Sequence, residues 1–436
     1  METQEPLEKQ ADVVIIGGGI AGCASAYYLA RRGAKVVLVE KGQIGSEQSG
    51  RNWGFVRQQG RHPLEIPLMM EGNRLWMDLE RELNADIEWV QGGNLRLAPN
   101  EREMARLEKI VKEERDLGLD IRLLSKSEVQ ALIPQMEGPW GVGGMYTPSD
   151  GHAEPIKATT ALARAAQECG ARIYTYCAAE GIEVAGGRVI SVVTERGEIK
   201  TPVVLCAAGA WASKVGRMVG LELPQRKVRA TVAATSPVAP ITRAGVWGGK
   251  VSFRQKKDGR FYIAGGGTAD YDITLESFRH LPMFLPNYLK NWRNLRLHIG
   301  AELLKDIACT LPWASAGQHP FAHTVDVEPK PNLQKVKRSR EALIELFPSL
   351  QGIGIERTWA GYIDTTPDAV PVLGEVPSLQ GFIFATGFSG HGFAMGPIVG
   401  KLMAELILDG KPSVDVHGLR YSRFVEGALA EAREAI

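Results

Sequence analysis

The stretch DVVIIGGGIAGCASAYYLARRGAKVVLVEK constrains this chain more than any other. Residues 12–17 form a short, continuous apolar run, as expected of a parallel strand buried on both faces. A glycine cluster follows, then a segment with helical spacing that ends at Gly33, then a second apolar run ending at Glu40. This is the pattern of a βαβ unit. Gly17, Gly19 and Gly22 make GxGxxG at the strand–helix junction. The first permits the tight turn, the second lets backbone approach a pyrophosphate, and the third lets helix and strand pack closely. The helix N-terminus faces the phosphate charge. Glu40 stands about 20 residues on, where a carboxylate accepts from a ribose diol. The unit therefore reads as a dinucleotide site.

With 436 residues, the chain is long for one core, which predicts two interleaved domains or a large α/β domain with a second layer. A net charge of +1 gives no footprint for nucleic acid. Five scattered cysteines (Cys23, Cys169, Cys177, Cys206, Cys309) lack CxxC spacing, which argues against zinc, iron–sulfur and disulfide frameworks. No metal site is expected. The N-terminus shows no signal peptide, and no apolar run is long enough to span a bilayer, so a reducing cytoplasm fits best.

Further along, 63–84, 101–118 and 156–171 read as helices, and 41–60 as a long polar glycine/serine loop. Residues 226–266 alternate as strands around a KKDG turn, predicting a second, largely antiparallel sheet. FIFATG, a glycine-rich turn and the helix MGPIVGKLMAELILDG then return to the first layer. The expected fold is α/β: a Rossmann-like layer with an interleaved substrate domain. The cofactor layer is assigned 10–80, 151–222 and 351–436, and the substrate domain 81–150 and 223–350. Residues 330–340 read as a solvated loop and helix start. Residues 281–300 mix aromatic and basic groups and read as a surface loop plus short helix; they are the segment to watch for a membrane face or partner subunit.

Taken in order, VVIIGGGIAGCASAYYLARRGAKVVLVEK, SGRNWGFVR, VVLCAAGAW, TWAGYIDTTPDAVPVLG and ATGFSGHGFAMGPIVG resemble the D-amino-acid-oxidase-like flavoproteins. Similar sequences include sarcosine oxidase β-type, glycine oxidase and opine or hydroxyproline dehydrogenase proteins. The resemblance covers roughly 10–410 and implies FAD, with oxidation of a carbon–nitrogen bond to an imine. The implied substrate is a small carboxylate-bearing amine: an N-alkyl, cyclic or D-amino acid. A 2-hydroxy acid is the alternative substrate. A different alternative is an FAD-bearing subunit of an electron-transfer complex.

The resemblance also implies site residues. Ser46, Ser49, Arg51 and Asn52 line the pyrophosphate and ribityl region, and Gly54 and Phe55 pass close to the flavin. Ala179 meets the adenine through its backbone, while Ala208, Gly209 and Trp211 form a wall. Gly390, His391, Gly392 and Phe393 follow the flavin's pyrimidine edge, with a helix starting near Gly396 aimed at it. Lys41, Gly361 and Gly387 complete the cofactor set. Arg57 matches the position that grips a substrate carboxylate, Arg51 serves phosphate or braces its loop, and Arg61 starts the next helix facing solvent. His391 either contacts the flavin edge or acts as a base, Tyr362 borders the substrate pocket, and Asp364 either borders it too or caps the turn before Pro367.

The sequence departs from the resemblance at three places. Ala394 replaces a second carboxylate-binding lysine; Arg254 either compensates or makes a cross-strand pair on an exposed face. Tyr262 stands near the place of an oxygen-activating lysine, which favours a dehydrogenase over an oxidase, with electrons passing to a partner protein or another carrier. No cysteine lies near Gly361, so the FAD is expected to be non-covalent.

Overall fold

The computed structural model describes residues 6–265, 269–292, 295–300, 303–304, 321 and 328–432; Cys309 lies outside them. Val13–Ile16 and Val36–Val39 pair in parallel within a six-stranded sheet. Their side chains alternate between two cores. Val13, Ile15, Val36 and Leu38 face a helical layer that includes Leu29, Leu162 and Ile398. Val14, Ile16, Val37 and Val39 face a layer that includes Ile182, Val192 and Ile199 of a three-stranded sheet. Cover on both faces explains why neither strand shows polar alternation.

A second, ten-stranded sheet is built from segments between Asn94 and Thr365 and is mostly antiparallel. Its long pair is Arg226–Thr235 against Ile355–Thr365, with Ala230 opposite Gly361. Ile355–Thr365 thus hydrogen-bonds into the ten-stranded sheet, although it follows the boundary expected at 350. The pairing reaches across more than a hundred residues, so local pattern cannot show it.

Two helices converge on the first sheet's glycine turn. Ile20–Arg31 begins at the GxGxxG glycines, and Gly392–Asp409 packs along it. Close approach requires glycine at the crossing: a Cβ on Gly396 would lie 2.6 Å from Ile20, and one on Gly400 2.5 Å from Ala24. The second helix starts at Gly392, four residues before the expected Gly396, because the turn Ser389–Gly390 in positive φ reverses the chain directly into it. The 41–60 stretch is not all loop: it holds a helical turn, Gln48–Arg51, and a strand, Phe55–Val56, paired with Gly151–His152. Residues 281–300 form a helix, Leu281–Asn291, and a strand, Leu295–His298, joined to the large sheet. No helix among the described residues is long and apolar enough to cross a membrane.

Candidate active site

One cavity runs from the glycine turn to the face of the large sheet. Gly17, Gly19, Glu40, Lys41, Ser46, Ser49, Arg51 and Asn52 line it, as do Ala179, Ala208, Gly209 and Trp211. So do Phe55, Arg57, Gly361, Tyr362, Asp364, Gly390, His391, Gly392 and Phe393. Five expected site residues stand back from it: Gly22, Gly54, Gly387, Arg254 and Tyr262.

Gly22 acts through packing, since a Cβ there would run into the Gly17 carbonyl. Gly54 has φ +85° and lies against Arg254 and the Ala153 carbonyl. Gly387 donates its N–H to Asp364 at 2.8 Å. Arg254 is not on an exposed face: it is buried, pairs with Glu154 at 3.3 Å, and donates to the Trp53 carbonyl. It braces the 51–57 segment from behind. Tyr262 packs edge-on against Trp359 and reaches Glu154 at 3.4 Å.

The cradle fits a dinucleotide. A Cβ on Gly17 would lie 2.5 Å from the Ala207 carbonyl, so only glycine permits this turn. Glu40 accepts Gly18 N–H on one carboxylate oxygen, 2.6 Å away, and Gly42 N–H on the other at 2.8 Å. Each oxygen retains acceptor capacity for a ribose hydroxyl. Burial raises the Glu40 pKa, and the two N–H groups oppose that. Ser49 Oγ accepts Ile20 N–H at 2.8 Å, tying the loop to the helix start. Asn52 braces its own turn, donating to Ser49 O at 2.8 Å and accepting from Gly54 N at 2.7 Å. Lys41 and Lys227 place ammonium groups 4.2 and 4.3 Å from the Trp211 ring centre. Gly361 lacks a Cβ for the sake of Arg51, whose own Cβ would stand 2.9 Å away.

Asp364 is a hub rather than a turn cap. It accepts from Gln48 (2.9 Å), Gln225 (3.1 Å) and Gly387 N–H. Gln48 also accepts Ala210 N–H at 2.7 Å. One buried carboxyl therefore joins the 48–52 turn, the 208–211 wall and the 387–390 turn.

Beyond the cradle the cavity turns polar and aromatic. Arg57 donates to the Gln59 carbonyl at 2.6 Å and lies 4.9 Å from the Trp247 ring centre. Trp53 stacks on Trp247 at 5.2 Å. Burial lowers the Arg57 pKa to about 10, with Arg96 adding repulsion, and the group remains cationic at neutral pH. Arg61 is not solvent-facing and starts no helix: it is 5% exposed, it lines the cavity, and the next helix begins at Ile66. Burial and Arg57 together lower its pKa to about 9.

Sequence reading missed several cavity residues. Arg96 lies in a strand of apolar neighbours, NLRLA, where an inward arginine was the available signal. Trp247 sits at a strand end. Lys335 lines the cavity from the helix Leu333–Leu346, correcting the solvated reading of 330–340. Its ammonium pairs with Asp270 at 2.8 Å. Glu65 escaped notice entirely; it is buried, and its carboxylate meets His391 Nδ1 at 2.9 Å.

Comparison with known families matches "FAD dependent oxidoreductase" (DAO) over residues 12–406. The chain belongs to this family of FAD dependent oxidoreductases. It is 29% identical to the mitochondrial sarcosine dehydrogenase of Mus musculus over 427 residues, covering 96% of this chain and 42% of that protein. The chain thus spans about two fifths of that relative's length. It is 26% identical to glycine oxidase of Geobacillus kaustophilus, covering 95% and 97% of the two chains. The solved L-amino acid deaminase of Proteus myxofaciens, in complex with anthranilate, matches with TM-score 0.90 at 28% identity, over 97% of this chain and 96% of that one. FAD is the cofactor shared by this family, and the glycine turn, Glu40 and the Asp364 hub are the groups that fit it.

Proposed function

We propose that this protein oxidises the carbon–nitrogen bond of a small carboxylate-bearing amine, such as an N-alkyl, cyclic or D-amino acid, to an imine. The observation that carries the reading is Arg57, a cationic fork on the cavity wall beside two tryptophans. A guanidinium pairs with a planar carboxylate through two parallel hydrogen bonds. The names of the relatives support it: sarcosine, glycine and L-amino acids all carry a carboxylate next to an amine.

Bound FAD supplies a two-electron acceptor for the hydride leaving the substrate carbon. The protein's residues position and shield. Arg57 fixes the carboxylate, and Trp53, Phe55 and Trp247 form a dry wall. Ala230, Ala264, Gly265 and Gly361 present a low floor on the large sheet, which leaves room for a planar ring. The start of Gly392–Asp409 faces the cavity, where its dipole favours negative charge on the reduced cofactor.

A dehydrogenase is favoured over an oxidase. Tyr262, at the place expected for an oxygen-activating cation, stands back from the cavity, and the Lys335 charge is balanced by Asp270. Electrons then pass to a partner protein or another carrier. The FAD is taken to be non-covalent, because the sequence places no cysteine near Gly361.

Anaerobic flavin bleaching with a panel of N-methyl, cyclic, D- and L-amino acids tests the reading. One amine class should bleach the flavin, and Arg57→Met should weaken its apparent affinity on the order of 100-fold. Unchanged affinity in the variant, or bleaching by 2-hydroxy acids alone, would overturn it. Slow recolouring in air is the dehydrogenase outcome.

A further inference from the structure

Glu65 and His391 come from distant parts of the chain and meet at the cavity wall. His391 precedes the helix Gly392–Asp409, and Glu65 precedes the helix Ile66–Glu82. Both Glu65 oxygens are engaged: one meets His391 Nδ1 at 2.9 Å, the other accepts the backbone N–H of His62 at 3.1 Å. A backbone N–H can only donate, and an ionised carboxylate can only accept. The ring must therefore carry its proton on Nδ1. His391 lines the cavity, and its second nitrogen, Nε2, is left with a lone pair that no hydrogen bond of the ring uses among the described residues.

We propose that Glu65 locks His391 in the Nδ1–H tautomer, so that Nε2 accepts an N–H from the substrate and selects primary and secondary amines over tertiary ones. This rests on the amine reading above. A neutral primary or secondary amine has an N–H to donate and still keeps the lone pair that assists hydride loss. A neutral tertiary amine has no N–H, and would leave Nε2 buried without a partner. Arg57 holding the carboxylate and His391 holding the amine would fix two substituents of the reacting carbon, which is the orientation that catalysis rewards.

The charges around the ring agree with an acceptor role. Arg61 and Arg57 face it from the 57–61 turn, Glu65 from the start of its helix, and Glu114, Asp150 and Arg96 surround the arginines. Burial and then Arg61 lower the His391 pKa to about 4, against the pull of Glu65. Burial opposes ionisation of Glu65, but the hydrogen bond from His391, the Arg61 charge and the His62 N–H outweigh it and lower its pKa. The ring is accordingly neutral across the physiological range.

Glu65→Gln is the decisive variant. The His62 N–H must keep an oxygen opposite it, so the new amide NH2 points at His391 and drives the proton to Nε2. Nitrogen-15 NMR of the histidine rings in the FAD-loaded protein reads this directly, with or without substrate. Flavin reduction by matched N-methyl and N,N-dimethyl amino acids, followed anaerobically from pH 6 to 9, reads the selection. The wild type should favour the N-methyl compound, and the variant should lose about tenfold of that preference. His391→Asn serves as the second variant if the first holds no flavin. An Nε2–H tautomer in the wild type, or a preference unchanged in both variants, overturns the proposal. So does a change in flavin potential without a change in preference, which would assign Nε2 to the cofactor. If no amine reduces the wild-type flavin at all, the amine reading itself falls, while the tautomer measurement still stands or fails alone.

Discussion

At the scale of single residues, the cavity's arginines sit within a buried ionic cluster in which two carboxyls, Asp150 and Glu114, are pushed toward neutral pH. Burial raises Asp150 to about 7, opposed by Gln58 and Arg57, and raises Glu114 to about 7. Each accepts backbone N–H groups of the 58–61 turn: Gln58 N reaches Asp150 at 2.9 Å, and Gly60 N reaches Glu114 at 2.8 Å. An unfolded aspartate titrates near about 3.9. The folded protein thus holds a proton that the unfolded chain has released, and stability falls as pH rises from about 4 to 7. His391 acts in the opposite sense, because the unfolded chain takes up its proton near about 6.5 and the fold refuses it until about 4. Asp150→Asn removes one falling contribution and relieves Glu114. Its melting temperature relative to wild type should therefore rise between pH 5 and pH 8; a constant difference across that range would contradict the assignment.

At the scale of elements, the crossing of Ile20–Arg31 with Gly392–Asp409 brings two helix N-termini to one cavity. Alanine normally favours a helix over glycine by about 1 kcal/mol. At Gly400 the new Cβ would stand 2.5 Å from the Ala24 main chain, which cannot swing aside. Overpacking of this kind costs about 1–3 kcal/mol, so it outweighs the propensity gain. Gly400→Ala should lower the melting temperature by a few degrees and weaken FAD retention. Both are read by thermal scans of the holoprotein and by the flavin released on gel filtration; a stabilised variant would show that the helices slide apart freely.

The elements also show where sequence reading succeeds. GxGxxG and its flanking runs were legible because turn, strand and helix there depend on neighbours within 30 residues. The Gly392 start was misplaced because Ser389 and Gly390 take positive φ, which a Phe-Ser-Gly-His string does not announce. Arg61 was assigned to solvent because Glu114, which accepts its backbone N–H, is brought to it only by the Glu101–Asp116 helix.

At the scale of the whole molecule, FAD is expected to bridge the six-stranded and ten-stranded sheets, since residues from both line one cavity. Anything that binds only the folded state stabilises it, by about 2.7 kcal/mol at a free concentration 100-fold above Kd. Stripping FAD should lower the melting temperature, and adding it back should restore it in a concentration-dependent way. Asp364→Ala, which unties three cavity segments, should need more FAD for the same recovery. A melting temperature indifferent to FAD would mean that the cofactor does not couple the two sheets.

The sequence by itself determined the dinucleotide cradle, the α/β class and the arginine-bearing loop, because hydrophobic period and glycine spacing act over short stretches of chain. Tertiary structure alone decided which cations face the cavity, that Lys335 turns inward, and that Glu65 meets His391 across 326 residues. Such pairings depend on how two sheets and their helices close upon one another. That closure is set by packing of the whole core, which no local pattern carries.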